Sequence, residues 1–159
     1  MNREEILNMP AGREMDVLVA TEVMGWKAWL EKRGEYTYII YQKPNEREPW
    51  FRSRDWQSLK EKYEPFTGEY DPHKHIDTLD YFKPSTDISA AWGVVEKFRR
   101  GDINNGMVAC CMELVLSDGF EPNDWSCAFF SPLLKFTDAV ANSAPLAICR
   151  AALLAVMEL

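Results

Sequence analysis

The last stretch of the chain, Asn142 to Leu159, reads NSAPLAICRAALLAVMEL and leaves little choice about what lies beside it. Ser143 is a good N-cap and Pro145 falls in the first turn, where a missing N–H costs nothing, so a helix is predicted to start there. Beyond that start the only charged residues are Arg150 and Glu158. Leu146, Cys149, Leu153 and Val156 form one apolar stripe at helical spacing. Ile148, Ala152, Ala155 and Leu159 form a second, so the helix has almost no face to give to water. The run is shorter than the roughly 20 apolar residues of a membrane span and reads as a core helix packed on a sheet.

The rest of the chain supplies that sheet and two more helices. Asn2 and Glu5 have capping-box spacing, Pro10 interrupts or restarts the helix, and Met15, Leu18, Val19 and Val23 recur at helical intervals before Gly25 stops it. Trp26, Trp29 and Leu30 lead into an aromatic and β-branched strand from Tyr36 to Tyr41, bounded by Gly34 and Pro44. Ser85 is expected to cap a helix that buries Ile88, Ala91, Trp92, Val95 and Phe98. Lys97, Arg99 and Arg100 complement its C-terminal dipole and Gly101 ends it. Met107 to Leu116 is apolar on both alternating faces apart from Glu113, which suits a strand covered on both sides; a short buried helix is the other reading. After a turn at Ser117 to Gly119, Trp125 to Phe130 makes another strand. This order specifies an α/β (α+β) protein, a three-layer α-β-α sandwich with a mostly antiparallel sheet.

Three blocks carry a family resemblance: MNREEILNMPAGREMDVLVATEVMGW at Met1 to Trp26, PSTDISAAWGVVEKFR at Pro84 to Arg99, and the Ala-Pro-Leu-Ala-Ile-Cys-Arg-Ala-Ala-Leu core of the closing helix. With Trp125 in the intervening strand, their order resembles that of the phage ABA sandwich domain family, small proteins of bacteriophages and prophages. The resemblance implies the sandwich architecture and a phage or prophage source. It implies no activity.

At 159 residues the chain fits one domain, 1–159. Its 18 Lys and Arg against 25 Asp and Glu give a net charge of −7, which weighs against general nucleic-acid binding through counterion release. With no basic leader before an apolar run and no spanning segment, the expected location is the cytoplasm, that of the host bacterium under the phage resemblance, with no membrane partner. Cys110, Cys111, Cys127 and Cys149 lack paired ligand spacing and read as small buried hydrophobes rather than a disulfide framework. No Gly-rich phosphate loop, nucleophile elbow or zinc-hydrolase spacing is present, so the sequence favours a protein without enzymatic activity and calls for no cofactor.

Pro44 to Lys83 behaves differently, with recurring prolines, many charges and no long period, and is read as a loop-rich insertion, 44–83, within the domain. Trp50 and Phe51 suggest a short strand there, and Asp55 to Tyr63 a short helix. Strand alternation would set Trp50, Arg52, Arg54 and Trp56 on one face, joining flat aromatic surfaces to guanidinium forks that suit phosphates or nucleobases. The opposing reading has the tryptophans pinning the insertion to the core and the arginines pairing with local carboxylates. His73 and His75 alternate in an extended segment and, with Asp77, are the weak candidates for a divalent metal; a solvated surface pair is the simpler reading. Arg150 must find water, a carboxylate or a ligand anion, and a structural ion pair is favoured over a binding role.

These features point to a phage accessory protein that works by binding, including a counter-defence role. Its target is then a host protein or a small anionic, nucleotide-derived immune signal held as by a sponge, with Trp50, Arg52, Arg54, Trp56 and Arg150 as candidate ligand residues. The alternatives are a metal-dependent enzyme using the His73/His75 segment and a structural or assembly protein. Abundant aromatics between Trp26 and Trp56 add the expectation of a homo-oligomer.

Overall fold

A computed structural model of the chain describes residues 1–47, 64–66, 71, 73–102, 111–117, 124–130 and 137–157. They form two compact units, Met1–Met24 with Phe82–Leu159, and Gly25–Tyr81. Helices and two mostly antiparallel sheets place the protein in the α+β class.

In the first unit, α1 (Arg3–Asn8) has the reciprocal cap that the sequence predicts: Asn2 Oδ1 accepts from the Glu5 N–H at 2.9 Å, and Glu5 Oε2 accepts from the Asn2 N–H at 2.7 Å. Pro10 forces the preceding Met9 into an extended conformation, which ends the helix. Helix α2 (Arg13–Leu18) then passes into a π-helical turn at Val19–Val23 and puts Met15, Val19 and Val23 in the core. The closing helix α4 (Ala144–Met157) is buried over most of its surface, as its double stripe requires. It packs on strands β6 (Asp124–Phe130) and β7 (Thr137–Ala141) and touches α1 and α3 (Ile88–Arg100). Phe98 of α3 stacks on Phe129 of β6 with ring centroids 4.4 Å apart. With β5 (Cys111–Ser117) the sheet order is β5-β6-β7, antiparallel throughout.

Three details correct the sequence reading. Asp87, not Ser85, caps α3, its side chain accepting from the Ser89 N–H at 2.8 Å, because Ser85 is drawn into the core by Asp16. Trp92 is 45% exposed: the inward face of α3 is filled by Ala91, Val94 and Phe98, and Trp92 lies about 100° around the helix from Ala91. Strand β5 is not covered on both sides, since Val115 and Leu116 are 45% and 46% exposed on what is an edge strand among the described residues. Strand β7 is not marked by the sequence pattern because its inward positions are small: Thr137, Ala139 and Ala141 alternate with exposed Asp138 and Val140.

The second unit is built on a hairpin of β1 (Lys27–Arg33) and β2 (Tyr36–Gln42), paired from Lys27 opposite Gln42 to Arg33 opposite Tyr36. Gly34, at φ 63°, makes the turn that other residues resist. Short strands β3 (Glu64–Pro65) and β4 (His75–Asp77) complete the order β3-β1-β2-β4, with β4 parallel to β2. Strand β1 is hidden in the sequence by Lys27, Glu31, Lys32 and Arg33. Buried Glu31 is held by Arg33 at 2.6 Å, and that guanidinium sits over the Tyr38 ring. Most of the Pro44 to Lys83 segment belongs to this unit. The strand expected at Trp50 and Phe51 and the helix expected at Asp55 to Tyr63 lie outside the described residues.

Candidate functional site

Of the candidate ligand residues, Trp50, Arg52, Arg54 and Trp56 lie outside the described residues, and Arg150 lies within them. Arg150 projects from α4 into an open cleft of about 620 Å³ whose walls include Asn8, Pro10, Asp124, Val140 and Asn142. Its Nη1 donates to the Val140 carbonyl at 2.8 Å and its Nη2 to the Met9 carbonyl at 2.9 Å. Nε is buried without a hydrogen-bond partner, and burial lowers the pKa of the group. Rather than pairing with a carboxylate, the side chain ties three stretches of backbone together: α4, strand β7 and the link between α1 and α2. Asp124 lines the same cleft.

The histidine segment is organised locally. His73 falls in a turn ahead of β4, so strand alternation does not reach it, while His75 opens the strand. Asp71 caps that turn: its Oδ1 accepts from the His73 N–H at 2.9 Å and its Oδ2 meets Lys74 Nζ at 2.8 Å, and the hydrogen bond from Lys74 holds the carboxyl below its ordinary range. His75 Nδ1 accepts from the Asp71 N–H at 3.3 Å, and the ring stands edge-on to Phe66. Asp77 Oδ1 is taken by the Leu79 N–H at 2.8 Å. His75 Nδ1 and one oxygen of Asp77 are thus engaged within the segment, and among the described residues no group of three His, Cys, Asp or Glu is arranged to hold an ion.

Cys127 and Cys149 are withdrawn as nucleophiles, and the side chains of Cys110 and Cys111 lie outside the described residues. The Cys127 thiol is pushed up to about 12 by burial, and Cys149 well above its usual value, first by burial and then by the nearby charge of Asp16. A thiol that stays protonated neither attacks nor ligates. Ser85, fully buried, donates its hydroxyl to Asp16 Oδ1 at 2.7 Å and its N–H to the same oxygen at 2.9 Å, and its Oγ accepts from the Gly12 N–H at 3.0 Å. Asp16 is only 2% exposed. Desolvation raises its pKa, opposed by the Ser85 hydrogen bonds and by the charges of Arg13 and Lys83. This buried pair is a brace between α2 and the approach to α3.

What the sequence reading missed is the outer face of α3. Ile88, Trp92, Val95 and Arg99 fall on one side of the helix, with Ile88 and Trp92 among the exposed large apolar residues. Next to Trp92, a Cβ built on Gly93 would meet nothing within 4 Å. The available signal was Gly93 itself, a weak helix former in the middle of a well-capped helix.

The described residues include no helix long and apolar enough to cross a membrane. No curated protein matches the chain. A solved structure, a phage protein from Bacillus cereus ATCC 14579 determined at 2.0 Å, superposes with a TM-score of 0.50 at 18% identity, over 94% of this chain and 95% of the other. That likeness is one of fold. Residues 17–153 match the family pattern of the phage ABA sandwich domain, which takes in the end of α2 with its π-helical turn, the second unit, α3, the three-stranded sheet and most of α4. The chain belongs to the phage ABA sandwich domain family.

Proposed function

We propose that the protein is a phage accessory protein without enzymatic activity that acts in the host cytoplasm by docking on a host protein, with the outer face of α3 as the contact. The observation that carries this reading is Trp92, half out in water beside the bare backbone of Gly93. A glycine inside a helix costs about 1 kcal/mol relative to alanine, and packing among the described residues gives Gly93 no reason to stay small. A flat backbone beside a projecting indole suits close approach by another protein, since tryptophan anchors fill pockets at interface centres. The chemistry of the partner follows from the charges. Lys97, Arg99 and Arg100 crowd the end of this helix against Glu96 and Asp102, a local positive end on a chain of net charge −7. The matching surface is an apolar cleft bordered by carboxylates.

The test is affinity capture from host extract with the wild type, Trp92→Asp and Gly93→Ala. The expected result is one stoichiometric host protein with the wild type, lost with Trp92→Asp at an unchanged melting temperature and weakened by Gly93→Ala although that change stabilises the helix. Retention of the same protein by Trp92→Asp refutes the reading. A second reading, capture of a small anionic or nucleotide-derived signal, is supported by Arg150 in its cleft, although Asp124 there repels anions. Mass spectrometry of material released on heating decides between them: a phosphorylated nucleotide, retained by Trp92→Asp and lost with Arg150→Met, would favour the cleft.

A further inference from the structure

The two edges of the three-stranded sheet are treated in opposite ways. On β7, the carbonyls that face away from β6 are occupied: Asp138 O accepts from Arg3 Nη2 at 3.3 Å and Val140 O from Arg150 Nη1 at 2.8 Å. Arg3 also pairs with the Asp138 carboxylate at 3.5 Å. No strand can add there without displacing both guanidinium groups. On β5 nothing of this kind is present among the described residues. It pairs with β6 alone among the described residues, runs for seven residues as Cys-Met-Glu-Leu-Val-Leu-Ser, and has neither a proline nor a lysine to discourage pairing. Its exposed residues include Val115 and Leu116. Long apolar edges left in this state are templates for another strand, and most proteins blunt them.

We propose that β5 pairs antiparallel with β5 of a second copy about a two-fold axis, joining two three-stranded sheets into one of six. The occupant is a second copy because the strand is complementary to itself in charge and in apolar pattern. With the axis through Val115, Val115 faces the partner's Val115 and Leu114 faces the partner's Leu116. Glu113 lies opposite Ser117 of the partner subunit, so the strand's one charge never meets its own image. A two-fold interface requires this kind of self-match, and cross-strand apolar pairs are the unit of sheet stabilisation. A foreign peptide strand would be under no such constraint.

The inference is independent of the docking role given to α3, and its test separates the two. Light scattering on the purified full chain at tens of micromolar should return twice the 18.4 kDa of one chain. Val115→Lys, a change at an exposed site, should return the single-chain mass with the melting profile of a folded protein, while Trp92→Asp should leave the dimer intact. Hydrogen exchange should show the amides of residues 111–117 protected in the wild type and faster in Val115→Lys. A monomeric wild type overturns the proposal, as does a dimer that survives Val115→Lys or is lost with Trp92→Asp. A β5 edge that gains protection only on adding a foreign peptide overturns it in favour of peptide capture.

Discussion

Arg150 separates a structural role from a ligand role, and the structure gives the size of the difference. Its two hydrogen bonds are charge-assisted, but neither is deeply buried: the one to Val140 is exposed and the one to Met9 partly buried. A hydrogen bond to a charged group contributes about 1.5 to 3 kcal/mol when buried and well under that in water, so the pair together is worth about 2 kcal/mol. Arg150→Met keeps the aliphatic stem and its packing while deleting both bonds, and for a chain of this length about 2 kcal/mol corresponds to a fall of roughly 4 to 8 °C in melting temperature. Arg150→Lys, able to reach one carbonyl at most, should fall between. Urea and thermal unfolding of the three proteins, followed by far-UV circular dichroism, measure this directly. If Arg150→Met lies within about 0.5 kcal/mol of the wild type, the guanidinium is not a brace, and its place in the cleft has to be explained by a ligand.

The other perturbations test the sealed interior. Asp16→Asn keeps an oxygen for Ser85 but removes the buried charge. Desolvation raises the Asp16 pKa in the folded state, so wild-type stability falls as pH rises from the ordinary 3.8 through the raised value. The melting temperature of Asp16→Asn relative to wild type should therefore be higher at pH 7 than at pH 3, and an equal gap at both would show that the carboxyl is not desolvated. Cys127 and Cys149 should resist alkylation at pH 8 until the protein unfolds, as followed by peptide mapping; rapid labelling of the native protein would contradict their burial. Leu153→Ala, at a fully buried position of α4, should cost about 2 to 5 kcal/mol in urea unfolding, and a loss under about 0.5 would mean that α4 is not core.

What the sequence revealed about the fold follows the range over which each determinant acts. The Asn2 and Glu5 cap, the break at Pro10, the left-handed stops at Gly25 and Gly101 and the double stripe of α4 depend on a few neighbouring residues, and all are found in the structure. Ser85 and Trp92 show where local reasoning ends. Ser85 and Asp87 are both good caps by type. The choice between them is made 69 residues away, where Asp16 needs a donor once α2 is buried, so Ser85 turns inward and Asp87 takes over the helix end. Trp92 fits the apolar stripe of α3 as well as Phe98 does, but a helix on a small sheet buries only one narrow face. The stacking of Phe98 on Phe129 rotates the helix so that the indole is left outside. The same limit applies to the candidate site. Arg150 stood out in the sequence as a lone cation that needed a partner, but its partners are the backbone carbonyls of Met9 and Val140, and a carbonyl leaves no mark on a residue type. A cation on an apolar helix therefore signals that something nearby must be satisfied, and in this chain the ends of α1 and β7 meet that need before any ligand does.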